Sequence, residues 1–163
     1  MGGALLLGSA SASQAQGASR CGTPEHRQFD FWVGSWNVFD VGDSDSSVGH
    51  ARVERILEGC ALREIYDGRN GLSGQSLSIY DLGRKLWHQS WVTNRGQLLV
   101  IEGRLKGDRM VLEGEYPPGT STRIRGVWSR MGDAVRETAE TSSDGGKTWQ
   151  PLFDLVFRRA PQH

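Results

Sequence analysis

Residues 29–38 read FDFWVGSWNV, and this stretch begins the first β-prone run of the chain. Aromatic and β-branched side chains of this kind favour strands. We predict a first strand from Phe31 to Asp40, because the turn-forming residues GDSDSS at 42–47 interrupt the run. Residues 23–30 precede this strand and are expected to form no more than one short helical turn.

Further β-prone runs follow, separated by turns that contain glycine, asparagine or proline. They are His50–Leu57, Ala61–Asp67, Gln75–Asp81, Leu86–Thr93, Gln97–Leu105, Arg109–Tyr116, Thr122–Arg130, Ala134–Ser142 and Thr148–Arg159. Sequential hairpins without a long crossover favour an all-β fold, an antiparallel up-and-down β-barrel of about ten strands, since closure removes exposed edges. A barrel of this size has an interior wider than side chains fill, so a ligand cavity is expected.

The composition fits one globular domain. The chain has 163 residues, of which 37% are hydrophobic and 22 are glycine. The length is typical of a single domain, and the glycine content indicates many tight turns. Because 19 basic residues balance 19 acidic ones, the chain lacks the basic surface that nucleic acids and anionic membranes attract.

Residues 1–20 differ in composition from the rest of the chain. The apolar run GALLLG at 3–8 is followed by small residues that fit a signal-peptide cleavage site. We predict a signal-peptide remnant or disordered tail at 1–20, a single barrel domain at 21–163, and export to the periplasm or the medium. The apolar run is shorter than the roughly 20 residues of a membrane span, so no span is expected.

The two cysteines, Cys21 and Cys60, leave two possibilities open. In an exported protein they could form a disulfide that ties the N-terminal segment to the barrel wall. Alternatively, Cys60 is a buried free thiol and Cys21 is exposed, because a sequence does not give the distance between them. No metal site is expected, since the chain has no CxxC motif and its histidines lack ligand spacing.

The alternation along the runs between residues 61 and 92 places aromatic and polar residues on one face, which suits a lined pocket. Glu64 shares its face with Leu62 and Tyr66, so it is the candidate acid/base or ligand anchor. Other strand carboxyls, Glu137 and Glu140 among them, are expected to form surface ion pairs with arginines. The candidate ligand-binding residues are Glu64, Tyr66, Ser78, Tyr80, Gln89 and Trp91.

The first strand contains Gly34-x-Trp36, which resembles the GxW signature of lipocalins and related calycin barrels. In that group the glycine allows close approach and the tryptophan plugs the base of the barrel. An arginine from the last strand often packs over this tryptophan, and Arg158 and Arg159 are the candidates here.

The chain resembles, over about residues 26–159, a bacterial family of exported, calycin-like β-barrel proteins. The resemblance rests on FDFWVGSWNV (29–38), ILEGCALREIYDG (56–68), WHQSWV (87–92), MVLEG (110–114) and SSDGGKTW (142–149) followed by Phe153-Asp154. It implies a barrel and no established reaction. Nitrobindin-like barrels are more distant relatives and hold haem through a proximal histidine. His88 is the internal strand histidine, but the alternation of side chains puts it on the opposite face of its strand from Trp87 and Trp91. We therefore expect no haem and no other cofactor.

Residues 142–149 also match the Asp-box of sialidases and other β-proteins, with Ser142, Asp144, Gly146, Thr148 and Trp149 at the motif positions. The Asp144 carboxylate can accept backbone N–H groups within the turn, and Gly146 can adopt a positive φ. Trp149 can pack beneath the hairpin. The motif therefore predicts a structural hairpin rather than a sugar site.

Three functions from different classes fit the sequence. The first is an exported barrel that binds a small hydrophobic or amphipathic molecule, favoured because catalytic motifs such as GxSxG or HExxH are missing. The second is an isomerase, lyase or hydrolase that uses Glu64 with Tyr66 or Tyr80. The third is a protein-interaction barrel that uses its outer face or its loops.

Overall fold

The computed structural model describes residues 21–161, without the side chain of Ser44, so the predicted signal-peptide remnant lies outside the described range. Ten strands form one closed antiparallel barrel in which β1 pairs with β10 and every other pair is consecutive in the chain. The strands are β1 (Gly34–Asp40), β2 (Asp43–Ile56), β3 (Ala61–Gly68), β4 (Ser73–Asp81), β5 (Leu86–Thr93), β6 (Leu98–Lys106), β7 (Arg109–Glu115), β8 (Arg123–Met131), β9 (Ala134–Ser142) and β10 (Gln150–Arg159). The prediction of an all-β, up-and-down barrel is confirmed, and the architecture is compatible with a calycin-like fold.

Three short 3₁₀ helices, at Pro24–Arg27, Asp30–Trp32 and Leu57–Gly59, complete the described secondary structure. The first two precede β1, where one short helical turn was expected. Among the described residues, no helix has the length and apolar character needed to cross a membrane.

The hairpin between β1 and β2 differs from its prediction. The stretch 42–47 was expected to be a turn, but β2 already begins at Asp43 and the turn contains only Val41 and Gly42. The pairing register shifts between Val38 and Asp40, as in a β-bulge. The first residues of β2 lie at the exposed end of the barrel, where Asp and Ser side chains can remain in solvent while the backbone pairs with β1.

An aromatic cluster closes one end of the barrel. Phe29 stacks on Trp32 with ring centroids 5.1 Å apart and meets Trp87 and Trp128 edge-on at 5.6 and 5.4 Å. The Trp36 indole donates to the carbonyl of Trp32 at 2.9 Å. Phe29 and Trp32, at the two ends of the second 3₁₀ helix, therefore fill the base of the barrel together with Trp36, Trp87 and Trp128.

The GxW region packs against one arginine of the last strand. The guanidinium of Arg159 lies 4.0 Å from the centroid of Trp36 and donates to the carbonyl of Val33 at 2.9 Å. Gly34 makes room for this arginine, because a β-carbon at that position would lie 1.8 Å from the arginine Nη1. Arg158, the other candidate, instead lies 4.4 Å from the ring of Phe39.

The base of the barrel is also held covalently. Cys21 and Cys60 form a disulfide, with Cα atoms 4.9 Å apart, which decides between the two possibilities left open by the sequence. The Arg27 guanidinium donates to the carbonyls of Cys21 and Gly59 at 2.7 and 2.6 Å. The N-terminal segment is thus fixed to the turn between β2 and β3.

The Asp-box forms the hairpin between β9 and β10. The carboxylate of Asp144 accepts the backbone N–H groups of Lys147 and Thr148, both at 2.9 Å, and the Thr148 hydroxyl at 2.6 Å. These hydrogen bonds hold the pKa of Asp144 well below its usual range. Trp149 packs beside the turn, where the Arg125 guanidinium lies 4.0 Å from its ring.

Candidate functional site

The barrel contains a cavity of about 640 Å³ at the end opposite the aromatic base. It opens between the β1–β2 hairpin, where Asp40 and Asp43 lie, and the loop between β3 and β4, where Arg69 and Asn70 lie. Its volume falls in the range of about 300–1,000 Å³ found for small-molecule sites. The base cluster fills only part of the interior, so the remaining space can hold a ligand.

Most of the cavity wall is apolar. Side chains from five strands contribute to it: Trp91, Leu99, Ile101, Ile124, Trp128, Ala139, Phe153, Leu155 and Phe157. Trp128 belongs both to this wall and to the aromatic base, so it forms part of the cavity floor. A wall of this kind suits an apolar body with few polar groups.

A network of polar side chains lies on one side of the interior. The Ser76 hydroxyl donates to Oε2 of Glu64 at 3.0 Å, and Nε2 of Gln89 donates to the hydroxyls of Ser78 and Ser76 at 3.1 and 3.5 Å. Glu64 is only 7% exposed. Burial raises the pKa of Glu64 to about 7, and the hydrogen bond from Ser76 opposes this effect.

Glu137 on β9 supplies a second carboxyl inside the barrel. Burial and the nearby Glu64 carboxyl raise the pKa of Glu137 well above its usual value, while Trp128 opposes the shift. Glu137 keeps some accessible surface because it lines the cavity, although the barrel encloses it. The two carboxyls interact, so a negative charge on Glu64 disfavours ionisation of Glu137.

The surroundings of the two carboxyls contain little compensating charge. Among the described residues, no lysine, arginine or histidine forms an ion pair with Glu64 or Glu137. The Nε1–H of Trp128 is buried and makes no hydrogen bond of normal geometry, yet it lies near enough to favour the carboxylate of Glu137. Buried carboxyls without a cation are costly, and such pairs concentrate at functional sites.

Four of the predicted ligand-binding residues line the cavity: Glu64, Tyr66, Gln89 and Trp91. The ring of Tyr66 meets that of Trp91 edge-on at 6.2 Å. Burial raises the pKa of Tyr66, and the charges of Glu137 and Glu64 raise it further. Glu64 and Tyr66 are two residues apart on β3, as are Gln89 and Trp91 on β5, so all four side chains point to the interior face of the sheet.

Two of the predicted ligand-binding residues do not line the cavity. Ser78 is buried and supports Gln89 through a hydrogen bond, but it does not line the cavity. Tyr80 faces the interior of the barrel but lies at the aromatic base rather than at the cavity, where its ring packs against His26 and Trp87. Tyr80 is therefore not among the residues that line the cavity.

Glu137 is the interior carboxyl that the sequence did not predict, since it was expected to form a surface ion pair. Its neighbour Glu140 does pair on the outside, with Arg125 at 2.7 Å. Glu137 shares its parity on β9 with Val135 and Ala139, which are both buried. That alternation was the available signal for an interior carboxyl.

The described histidines lie away from the cavity. His88 is on the outer face, where its ring nitrogens contact Glu102 and Ser90 at 2.8 Å each. His26 is buried in the first 3₁₀ helix and contacts the Thr23 hydroxyl at 2.9 Å. No described histidine lines the cavity, and the described chain contains no cluster of three residues suited to hold a metal ion. The side chain of His88 therefore does not face the cavity.

Comparison with protein-family models and with curated proteins gives no match for the chain. The interpretation of the site therefore rests on its geometry.

Proposed function

We propose that this protein binds a small apolar or amphipathic molecule inside its barrel. The observation that carries the proposal is the cavity of about 640 Å³ with an apolar wall and a few buried polar groups on one side. An apolar wall binds the body of a ligand, while a small number of fixed polar groups orient it.

The protein acts after export from the cell. The disulfide between Cys21 and Cys60 supports this part of the proposal, because disulfides persist in oxidising compartments. The composition of residues 1–20 points in the same direction.

Binding of a neutral apolar dye tests the proposal with a matched pair of variants. Leu99 lines the cavity, whereas its neighbour Leu98 is 46% exposed on the outer face of the same strand. N-phenyl-1-naphthylamine is expected to bind at one site and to gain fluorescence. Leu99→Trp fills space near the cavity wall and should weaken binding by about tenfold or more, whereas Leu98→Trp should leave it unchanged.

The outcomes distinguish dye binding in the cavity from dye binding on the outer surface. Equal dye affinity in the two variants would show that the dye binds elsewhere and would contradict the proposal. Native mass spectrometry of the protein from its own host adds an independent measurement. A bound mass of a few hundred daltons, lost in Leu99→Trp alone, would support the cavity as the natural site.

A second candidate function is proton transfer, favoured by the raised pKa of Glu64. A carboxyl with a pKa of about 7 suits general acid–base chemistry at neutral pH. Glu64 would remove a proton from the carbon next to a carbonyl group, and the hydroxyl of Tyr66, which lines the same cavity, would donate to the carbonyl oxygen.

Hydrogen–deuterium exchange tests this candidate without a known substrate. In D₂O, the protein should exchange the α-hydrogens of bound 2-decanone faster than buffer does, as followed by NMR. Glu64→Gln should abolish the acceleration. Exchange at the buffer rate with the wild-type protein would remove the argument for this chemistry.

A further inference from the structure

The two carboxyls in the cavity wall indicate which class of ligand the barrel takes. Glu64 and Glu137 lie on β3 and β9, which are four strands apart around the closed barrel. Their side chains nevertheless share one cavity and influence each other's charge. A group bound between them would contact both carboxyls.

The neighbouring strands supply no cation to this pair. The residues beside Glu64 in the sheet are Val53 on β2 and Ser76 on β4. Those beside Glu137 are Trp128 on β8 and Leu155 on β10. The fold thus surrounds both carboxyls with apolar groups, one hydroxyl and one indole.

The charged groups around the cavity are mostly acidic. Among the described residues, the charged ones that line the cavity are Asp40, Asp43, Glu64, Glu137 and one cation, Arg69. Asp40 on β1, Asp43 on β2 and Arg69 after β3 lie at the mouth and are exposed. Tyr66 is the remaining titratable group of the lining. Such a lining attracts a positively charged ligand and repels an anionic one.

Aromatic rings complete the arrangement. Tyr66, Trp91 and Trp128 line the same cavity as the carboxyls, and the buried indole N–H of Trp128 has no hydrogen-bond partner of normal geometry. The face of an aromatic ring attracts cations, and aromatic residues combined with carboxylates are suited to organic ammonium groups. A neutral ligand would leave the two carboxyls without a cation.

We infer that the ligand is an organic cation, with an ammonium group held between Glu64 and Glu137 and an apolar body against the aromatic and aliphatic wall. This inference rests on the proposed function and specifies the ligand class of the same cavity. The ammonium group is the missing partner of the buried carboxyls, and its alkyl substituents lie against the rings of Tyr66, Trp91 and Trp128.

Three probes of equal chain length test the inference. Decyltrimethylammonium is a permanent cation, 1-decanol is neutral, and decanoate is an anion. Isothermal calorimetry at pH 8 should show that the ammonium probe binds about 10- to 100-fold more tightly than the alcohol, with decanoate the weakest. The ammonium probe has no titratable proton, so any pH dependence of its binding arises from the protein.

The pH dependence has a definite sign. A cation favours the ionised pair, so its binding releases a proton that the carboxyls hold in the free protein. The affinity for decyltrimethylammonium should therefore rise between pH 5 and 8, by up to about tenfold for each pH unit. The affinity for 1-decanol should change much less over the same range.

Isosteric variants connect the preference to the two carboxyls. Glu64→Gln and Glu137→Gln should each reduce the preference for the ammonium probe over the alcohol by about tenfold or more, while 1-decanol binding shows that each variant is folded. Glu140→Gln changes a carboxyl on the same strand that pairs outside the barrel, and should leave the preference unchanged.

The outcomes distinguish the inference from the proposed function. If none of the three probes binds, the cavity does not take small amphipathic molecules and both proposals fail. If 1-decanol or decanoate binds as tightly as the ammonium probe, the cavity proposal stands and the cation inference is overturned. A preference that survives in both glutamine variants would also overturn it.

Discussion

Replacing Glu64 with glutamine should remove a pH dependence of stability from the free protein. Burial moves the pKa of Glu64 from 4.5 to about 7. The folded state therefore binds this proton more tightly than the unfolded state, and the free energy of unfolding decreases as pH rises from about 4.5 to about 7. Above about pH 7, Glu64 is ionised in both the folded and the unfolded state, and the free energy of unfolding falls no further on its account.

The size of the effect follows from the same values. The difference between 4.5 and about 7 corresponds to about 3 kcal/mol, at roughly 1.4 kcal/mol for each pKa unit. For a domain of this length, the melting temperature should then fall by about 6–12 °C between pH 5 and pH 8. Carboxyls with a lowered pKa, such as Asp154 beside Arg136, stop contributing to folding stability only at lower pH, so they do not mask the fall in melting temperature between pH 5 and pH 8.

Thermal unfolding followed by circular dichroism, without reductant, provides the measurement. Glu64→Gln should match the wild-type melting temperature at pH 5 and exceed it at pH 8. Glu140→Gln carries the same charge change on the outer face and should follow the wild-type pH profile. A wild-type melting temperature that is constant from pH 5 to pH 8, or an unchanged fall in Glu64→Gln, would refute the reasoning.

Three further predictions concern the barrel itself. Reduction of the Cys21–Cys60 disulfide, which closes a loop with a sequence separation of 39 residues, should lower the free energy of unfolding by about 3–4 kcal/mol in urea titrations with and without reductant. Asp144→Ala should speed amide exchange in the Asp-box turn, measured by hydrogen–deuterium exchange, because the turn N–H groups lose their carboxylate acceptor. Arg159→Ala should destabilise the barrel by about 1–2 kcal/mol relative to the wild type in the same urea titrations, because Arg159 both covers the GxW tryptophan and donates to a backbone carbonyl.

The strands could be predicted because two local signals coincide along most of the chain. Alternating side chains mark each strand, and glycine, asparagine or proline marks the turns between them. The start of β2 at Asp43 could not be predicted, because its first residues are Asp and Ser and resemble a loop. Pairing with β1 through a bulge decides their structure, and a single strand's sequence does not contain that information.

For the site residues, the sequence predicts which face of a strand points into the barrel, but not how far along the barrel axis each residue lies. Parity along β3 and β5 correctly placed Glu64, Tyr66 and Gln89 in the interior. Parity also placed Tyr80 inside, but the register of β4 puts it against the aromatic base. Depth along the barrel axis depends on strand tilt and pairing, which alternation does not encode.

The interior carboxyls differ from several acidic residues on the outer face, which form ion pairs with arginines. On the outer face, Glu54 pairs with Arg63 and Glu140 pairs with Arg125. Inside the barrel, Glu64 and Glu137 have no such partner in the described chain and lower stability at neutral pH. Glutamine or an apolar side chain would fill the same space without that cost. We propose that a cationic ligand supplies the missing charge to this pair, which weakens the free barrel and lines its cavity. We therefore expect the Glu64→Gln/Glu137→Gln double variant to be more stable than the wild type at pH 8 and to bind the alcohol probe without preferring the ammonium probe.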